Sequence, residues 1–440
     1  MESTCKTLKK NIIYFLRPGL PGLFLFYKFC LSFAYGFDPK PNISEIKIIG
    51  LSKTEQFVIE REIYHKSSSP LDSSIAELDR NRIFNLGLFD EVSWRVIPIE
   101  NGEAILQFNL IESLHRFPPV ILPVYDEEKG WSLRSLYIIK NFQGKNRNIE
   151  LDLSIGGEDR IQFSLSDPWI FGNRVSLFTY IEHSSYRHLF LERLANTSLL
   201  RIEMGKWYGD RIKLKFSPTS INSIFTNKVD TLRYKYFSPE IKMEYDSRDI
   251  FWNPKKGIRL INKFTPMIGG ENEFFIWNQS YSIYLPLFNH DSDLTLAANA
   301  CIRNKWGYKN NIWLSYFGNS FNVRGWELPA IDKKSLVNQP YRFGHEYIFS
   351  SIEIRKLIIP KHHSRLGLLN GLSIVGFFDS GFISHHWSKI KENKMIGGAG
   401  IGIRIPIPIL ESIRIDLGWG LKDKIFRKKP VLHFAIKQKF

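Results

Sequence analysis

Three patterns in this chain have residue types that can do chemistry. Gly398-Ala399-Gly400-Ile401-Gly402 has the glycine spacing of a loop that cradles the phosphates of a dinucleotide at a helix N-terminus. His362-His363 and His385-His386 offer imidazoles of the kind that ligate metals. Cys5, Cys30 and Cys301 are the only thiols. Context argues against each. The glycine run lies inside an alternating apolar stretch with no helix after it, so strand is the reading. The histidine pairs fall where loops are expected, and nothing resembles a zinc-ligand cluster. No Gly-x-Ser-x-Gly elbow presents a serine nucleophile. The chain is read as a protein that is not an enzyme and holds no cofactor or metal.

Composition narrows the elements that carry these residues. Aromatics make up 14 %, with Phe 34 and Tyr 18, a load that the aromatic girdles of a membrane barrel account for. Mean hydropathy is −0.19. Beyond residue 36 no apolar run reaches the roughly 18 residues that a membrane helix needs. That excludes a helical membrane protein but not a barrel, whose strands alternate and average to neutral. The formal charge is +16, with basic residues spread along the chain instead of gathered in one stripe. A basic lumen, or a surface facing anionic lipid, fits this better than nucleic acid.

Residues 1–36 read as a signal peptide. Lys6, Lys9 and Lys10 open it, and an apolar stretch from Asn11 to Phe33 follows, interrupted by Arg17-Pro18-Gly19 and Lys28. Ala34-Tyr35-Gly36 offers small residues for cleavage, and Cys30 lacks a lipidation context. Removal takes five basic residues and Glu2, leaves +12, and leaves Cys301 without a partner for an intrachain disulfide.

Residues 43–113 predict a small α+β domain in the order β-α-α-β-β. Ile43 to Gly50 alternates as a strand. Thr54 caps a helix to about Tyr64, with Phe57, Ile59 and Ile63 as its apolar positions. A Ser-rich loop ends at Pro70, and a second helix from Ser73 to Leu86 carries Ile75, Leu78, Ile83 and Leu86, stopped by Gly87. Strands Glu91–Glu100 and Ala104–Glu112 are joined by Asn101-Gly102. From Phe117 the pattern is strand after strand. Ile149, Leu151, Leu153 and Ile155 alternate with Glu150, Asp152 and Ser154, and Ile401 to Ile409 alternates likewise. The second face is charged, which suits a wet lumen and not a sandwich core. At about 20 residues per strand and turn, residues 117–440 give a transmembrane antiparallel β-barrel of roughly 16 strands.

Several short stretches converge on one family. Leu86-Gly87-Leu88-Phe89-Asp90, preceded by Arg82, looks like the second-helix ending of a POTRA domain. Asn141-Phe142-Gln143-Gly144 and Asp167-Pro168-Trp169 resemble signatures of first barrel strands. Tyr245-Asp246-Ser247-Arg248-Asp249, with Pro254 and Gly257, resembles a mid-barrel signature. Val323-Arg324-Gly325-Trp326, Phe377-Phe378-Asp379-Ser380-Gly381 and Phe440 follow in order. From about residue 43 onward the chain resembles the outer-membrane assembly superfamily typified by BamA and TamA, also called bacterial surface antigens.

The resemblance implies a fold, a site and a function. The Val323-Arg324-Gly325-Trp326 loop would fold back into the barrel, with Arg324 paired to lumen acids at the positions of Glu353 and Asp379. Glu353 sits between Ile352 and Ile354, so alternation itself puts it on the polar face, whereas Asp379 shares parity with Phe377. By alternation Leu432, Phe434 and Ile436 share a face with Phe440, while His433, Ala435, Lys437 and Lys439 take the other, which looks like the last strand of such a barrel with its C-terminal assembly signal. The function implied is an insertase or translocase for unfolded outer-membrane or secreted proteins, acting through the lateral seam between first and last strands. A two-partner-secretion-like pore and a passive outer-membrane channel are the alternatives. Residues 37 to 43 leave no room for the plug helix of the secretion pores. The implied location is the outer membrane of a Gram-negative bacterium, with the POTRA domain in the periplasm. Implied partners are outer-membrane lipid, unfolded clients and periplasmic proteins met through the single POTRA domain.

Overall fold

The computed structural model describes residues 40–115, 119–126, 128–172, 174–188, 193–288, 293–329, 338–359, 371–392, 394–407, 411–436 and 439–440. The expected signal peptide, His362-His363 and Gln438 lie outside them.

The small domain runs β1 (Asn42–Ile49), α1 (Gln56–Glu60), β2 (Ser69–Pro70), α2 (Ser73–Asn85), β3 (Phe89–Pro98) and β4 (Glu103–Glu112), with sheet order β2-β1-β4-β3. α1 is shorter than the helix expected from Thr54. Its N-cap is Glu55, which makes no side-chain cap, and the Thr54 amide donates instead to Glu112 Oε1 at 2.9 Å. Val58 and Ile59 are buried, whereas Phe57 is exposed. The helix stops early because the amides of Tyr64 and His65 turn to the Asp79 carboxylate, each at 2.9 Å. Asp79 also pairs with Arg82, so an acid on α2 organises the end of α1. α2 buries Ala76, Asp79, Ile83 and Phe84 and exposes Leu78, which had been assigned to its apolar face. Asn101 and Gly102 both take positive φ, 62° and 74°, and make the tight β3–β4 turn.

The second part is a closed antiparallel barrel. Its strands are β5 (Val120–Asp126), β6 (Gly130–Phe142), β7 (Arg147–Gly156), β8 (Glu158–Asp167), β9 (Val175–Arg187), β10 (Leu194–Tyr208), β11 (Ile212–Thr226), β12 (Thr231–Asp246), β13 (Gly257–Met267), β14 (Phe274–Pro286) and β15 (Leu294–Gly307). A two-residue ladder, β16 (Ser315–Tyr316) with β17 (Phe343–Gly344), stands apart within the long 308–345 connection. The wall resumes with β18 (Glu346–Leu357), β19 (Ser373–Ser384), β20 (Ile396–Ile407), β21 (Glu411–Lys422), β22 (Ile425–Phe426) and β23 (Val431–Ile436). β22 and β23 both pair with β21 as one interrupted arm, so among the described residues seventeen strands make sixteen staves. β23 closes the ring against β5.

Alternation sets the two faces. Leu151, Leu153, Ile161, Phe163, Leu214 and Ile403 are exposed on the outer wall, while Asp152, Ser154, Gln162 and Ser164 are buried on the inner one. The family-like motifs make turns. Asn141 Oδ1 accepts from the Asn146 amide (2.7 Å), Asp167 binds Arg147 (2.6 Å), and Asp249 Oδ1 accepts from the amides of Ile250 (2.9 Å) and Lys255 (3.0 Å).

Candidate functional site

Arg324, in the 308–345 connection, is completely buried inside the barrel. Its Nε and Nη2 donate to the two oxygens of Asp379 (2.7 and 3.0 Å), and its own backbone amide donates to Asp379 Oδ2 (3.1 Å). Nη1 is shared between Glu353 Oε1 (2.8 Å) and Asp416 Oδ2 (3.1 Å). One guanidinium thus ties the loop to β18, β19 and β21. The fork of donors is suited to this in a way a lysine is not. Phe377 shares the inner face with Asp379 because its ring lies 3.6 Å beneath the Arg324 guanidinium carbon, a cation–π contact. That resolves the parity of 377 and 379: both point inward.

The three acids carry further cations. Arg355 Nε donates to Glu353 Oε2 (2.9 Å), and Arg404 reaches Asp416 Oδ1 (2.6 Å) and Glu353 Oε1 (3.3 Å). Arg414 Nε lies 3.4 Å from Asp416, and Lys439 Nζ donates to Asp379 Oδ1 (2.7 Å) and Ser351 Oγ (3.1 Å). Five cations therefore meet three carboxylates. Sequence reading missed Asp416, Arg404, Arg414, Arg355 and Lys439 as members of this cluster. A signal existed: Arg414, Asp416, Gly418 and Gly420 share one parity of β21, just as Glu353 does on β18.

The rest of the loop motif is held by shape. Val323 is buried among Phe317, Phe349, Ile383 and Ile396. Gly325 has φ 87°, and a Cβ there would press on the Trp419–Gly420 peptide; its amide donates to His433 Nε2 (2.9 Å). Trp326 Nε1 donates to the Gly397 carbonyl (2.7 Å). The glycine run that mimicked a nucleotide loop faces the lumen along β20. A Cβ at Gly398 would strike the Arg324 carbonyl oxygen, and one at Gly402 would strike the Asp416 carboxylate. On β21, Gly418 and Gly420 leave the same space for Gly325 and Trp326. These strands are a bare seat for the loop.

At the end of the chain one expectation is corrected. Leu432 and Phe434 face outward, and Ile436 is the last residue of β23, but Phe440 does not join them. Its ring lies 6.3 Å from buried Tyr284 and 5.0 Å from the Arg355 guanidinium carbon. β23 has ended by then, and the Lys439 ammonium is drawn to Asp379 inside. His385 and His386 follow β19, with His386 Nδ1 3.0 Å from the Lys309 ammonium. Cys301 is a free thiol.

The arrangement holds a loop inside the barrel. The Omp85 superfamily domain model matches residues 141–440, and the surface antigen variable number repeat, or POTRA, model matches 41–113. No curated relative matches the chain. Among solved structures, BamA from Haemophilus ducreyi lacking POTRA domains 1–3 is 14 % identical with a TM-score of 0.56, over 90 % of this chain and 84 % of that one. CdiB from Escherichia coli is 13 % identical with a TM-score of 0.57, over 90 % and 75 %. CdiB from Acinetobacter baumannii is 12 % identical with a TM-score of 0.54, over 90 % and 73 %. At such identities the structures speak for the fold, and the family model, covering most of the chain, speaks for descent. With a POTRA domain ahead of its barrel, the chain belongs to the Omp85 superfamily.

Proposed function

We propose that this protein is an outer-membrane insertase or translocase that passes unfolded outer-membrane or secreted proteins through the seam between β23 and β5. In this reading residues 1–36 are a removed leader, 43–113 the periplasmic domain and 117–440 the barrel. The supporting observation is an uneven wall. Among the described residues β23 and β5 have six and seven residues, whereas β10, β11 and β12 have fifteen or sixteen. A short ladder has few hydrogen bonds to break, and an opened edge presents unpaired N–H and C=O groups to a client strand. The Arg324 anchor bears on β18, β19 and β21, and the same loop reaches both sides of the seam, with the Gly325 amide donating to His433 on β23 and the Tyr316 hydroxyl donating to Glu128 between β5 and β6. In the small domain, β2 covers only Asn42 and Ile43 of β1, which leaves most of that edge open to a second strand. Phe434, Ile436 and Phe440 would be read as an assembly signal before the barrel closes, since Phe440 afterwards faces inward.

The test is a set of cysteine pairs placed between Val120–Asp126 and Val431–Ile436. Oxidation is expected to arrest client insertion, and reduction to restore it. Client assembly that continues through an oxidised seam would refute the reading. A passive channel would conduct steadily with the loop in place and be indifferent to the cross-link.

A further inference from the structure

The outer wall of β9–β12 carries a basic band that the proposed function does not use. Strand register stacks outward residues in rows. His183, Ser198, Asn222 and Lys235 form one row, Ser185, Asn196, Ile224 and Arg233 the next, and Arg187, Leu194, Thr226 and Thr231 the last. Sidedness is fixed by the intervening residues, since Ala195, Ser223, Phe225, Tyr234 and Tyr236 are buried on the inner wall. The rows lie at the barrel end that bears the 188–193, 227–230 and 308–345 connections. The row below them holds Ile181, Leu200, Ser220 and Phe237, all exposed and three of the four apolar. The change from apolar to polar is therefore abrupt.

Two features point to a ligand. Arg187, Arg233 and Lys235 are exposed and have no ion-pair partner among the described residues, and the three rows contain no carboxylate. The outward acid beside them, Asp159 opposite Ser185, already accepts from the Gly156 amide (3.0 Å). At the polar boundary a hollow of about 560 Å³ opens on the same wall. Ile161, Phe163 and Leu200 line its apolar part, and His183, Ser198, Ser220 and Asn222 its polar part; Glu182 also borders it, but its carboxylate accepts from Tyr180 and Ser184 on the inner face. His183 Nδ1 and Ser198 Oγ are 2.9 Å apart.

We propose that this surface binds a multiply acylated lipid bearing two phosphates, with acyl chain in the hollow and phosphates on Arg233–Lys235 and on Arg187. The inference rests on the reading of the barrel as membrane-spanning. Three strand spacings separate β9 from β12, about 14 Å, so one phosphate cannot serve both basic groups, and a head group with two separated phosphates can. A peptide partner would gain little from the hollow, whose polar groups lie along one rim. Bare phosphate would leave the apolar part unused.

The experiment uses the full-length protein in detergent, incubated with lipid A or with lipid A stripped of its phosphates, and counts retained lipid by native mass spectrometry. Wild type is expected to keep the phosphorylated lipid and lose the stripped one. Arg187→Glu/Arg233→Glu/Lys235→Glu is expected to weaken retention about a hundredfold or more, taking about fivefold per basic residue at an anionic lipid surface. Lys206→Glu, exposed at the opposite end of β10, is expected to change nothing. Should the triple reversal fail to fold, as judged by heat-modifiable migration, Arg233→Gln/Lys235→Gln gives the same comparison with a smaller loss. Equal retention by wild type and charge variants, or of both lipids, or a protein bound in place of lipid, overturns the site. A wild-type chain absent from the membrane fraction would instead overturn the membrane reading beneath it.

Discussion

Replacing Arg324 by alanine removes five hydrogen bonds from buried side-chain donors: two to Asp379, one each to Glu353 and Asp416, and one to Ser351. Breaking a buried ion pair typically costs about 3–5 kcal/mol, mostly because the abandoned charge has no partner. Here no acid is abandoned. Asp379 keeps Lys439, Glu353 keeps Arg355 and Arg404, and Asp416 keeps Arg404. The low end applies, so Arg324→Ala is expected to cost about 3 kcal/mol, or some two orders of magnitude in the population of undocked loop. The assay is limited chymotrypsin digestion, because Phe317 and Trp326 are buried only while the loop is seated. Cleavage at these residues should accelerate while migration in detergent gels still reports a closed barrel. Arg324→Glu should be worse, placing a fourth acid among three. Glu353→Arg should not rescue it, since the new arginine would face Arg355 and Arg404. Unchanged protection of Trp326 in Arg324→Ala, or full rescue by Glu353→Arg, would refute this account of the anchor.

Other expectations follow from the same contacts. Gly398→Val should unseat the loop and cost about 1–3 kcal/mol by overpacking, measured as a lowered melting midpoint; Gly376→Val, outward on β19 with nothing near its Cβ position, should be close to neutral. In the small domain, burial pushes the Glu112 carboxyl up, but hydrogen bonds from Ser52 and Thr54 outweigh it and bring it down to about 2 from 4.5. A depressed carboxyl stabilises the fold above its unfolded value, so this tie should be intact above about pH 4.5 and lost as pH falls toward 2. The amide shifts of Ser52 and Thr54 should follow that titration, and Glu112→Gln should abolish it. The mature protein should fractionate with the outer membrane and migrate faster unboiled than boiled; identical mobility would count against closure.

The staves were legible because a wall with lipid on one side and water on the other forces a period of two on every strand. Glu353 was visible for the same reason. The remaining cluster was hidden because alternation says which face a residue takes, not which distant residue it meets: the register of β20 and β21 sets Arg404 opposite Arg414 and Gly402 opposite Asp416, so Arg404 meets Asp416 on a diagonal. The early end of α1 was hidden because Asp79, fifteen residues past Tyr64, competes for its amides. Phe440 defeated parity because β23 stops before it, and a lysine seeking a carboxylate then redirects the chain.

The glycines of β20 and β21 bear on the order of assembly. A strand of glycines loses more backbone entropy on folding than any other and gives back no side-chain packing. Gly398, Gly418 and Gly420 meet the 308–345 loop on the inner face, whereas Gly400 and Gly402 meet their neighbours on the wall. That hairpin therefore takes part of its inner-face packing from the loop. It emerges late in synthesis, after the loop it needs. The seated loop thereby lends this hairpin packing that its own residues do not supply, so the hairpin is expected to be the first part of the closed wall to loosen when the loop is released.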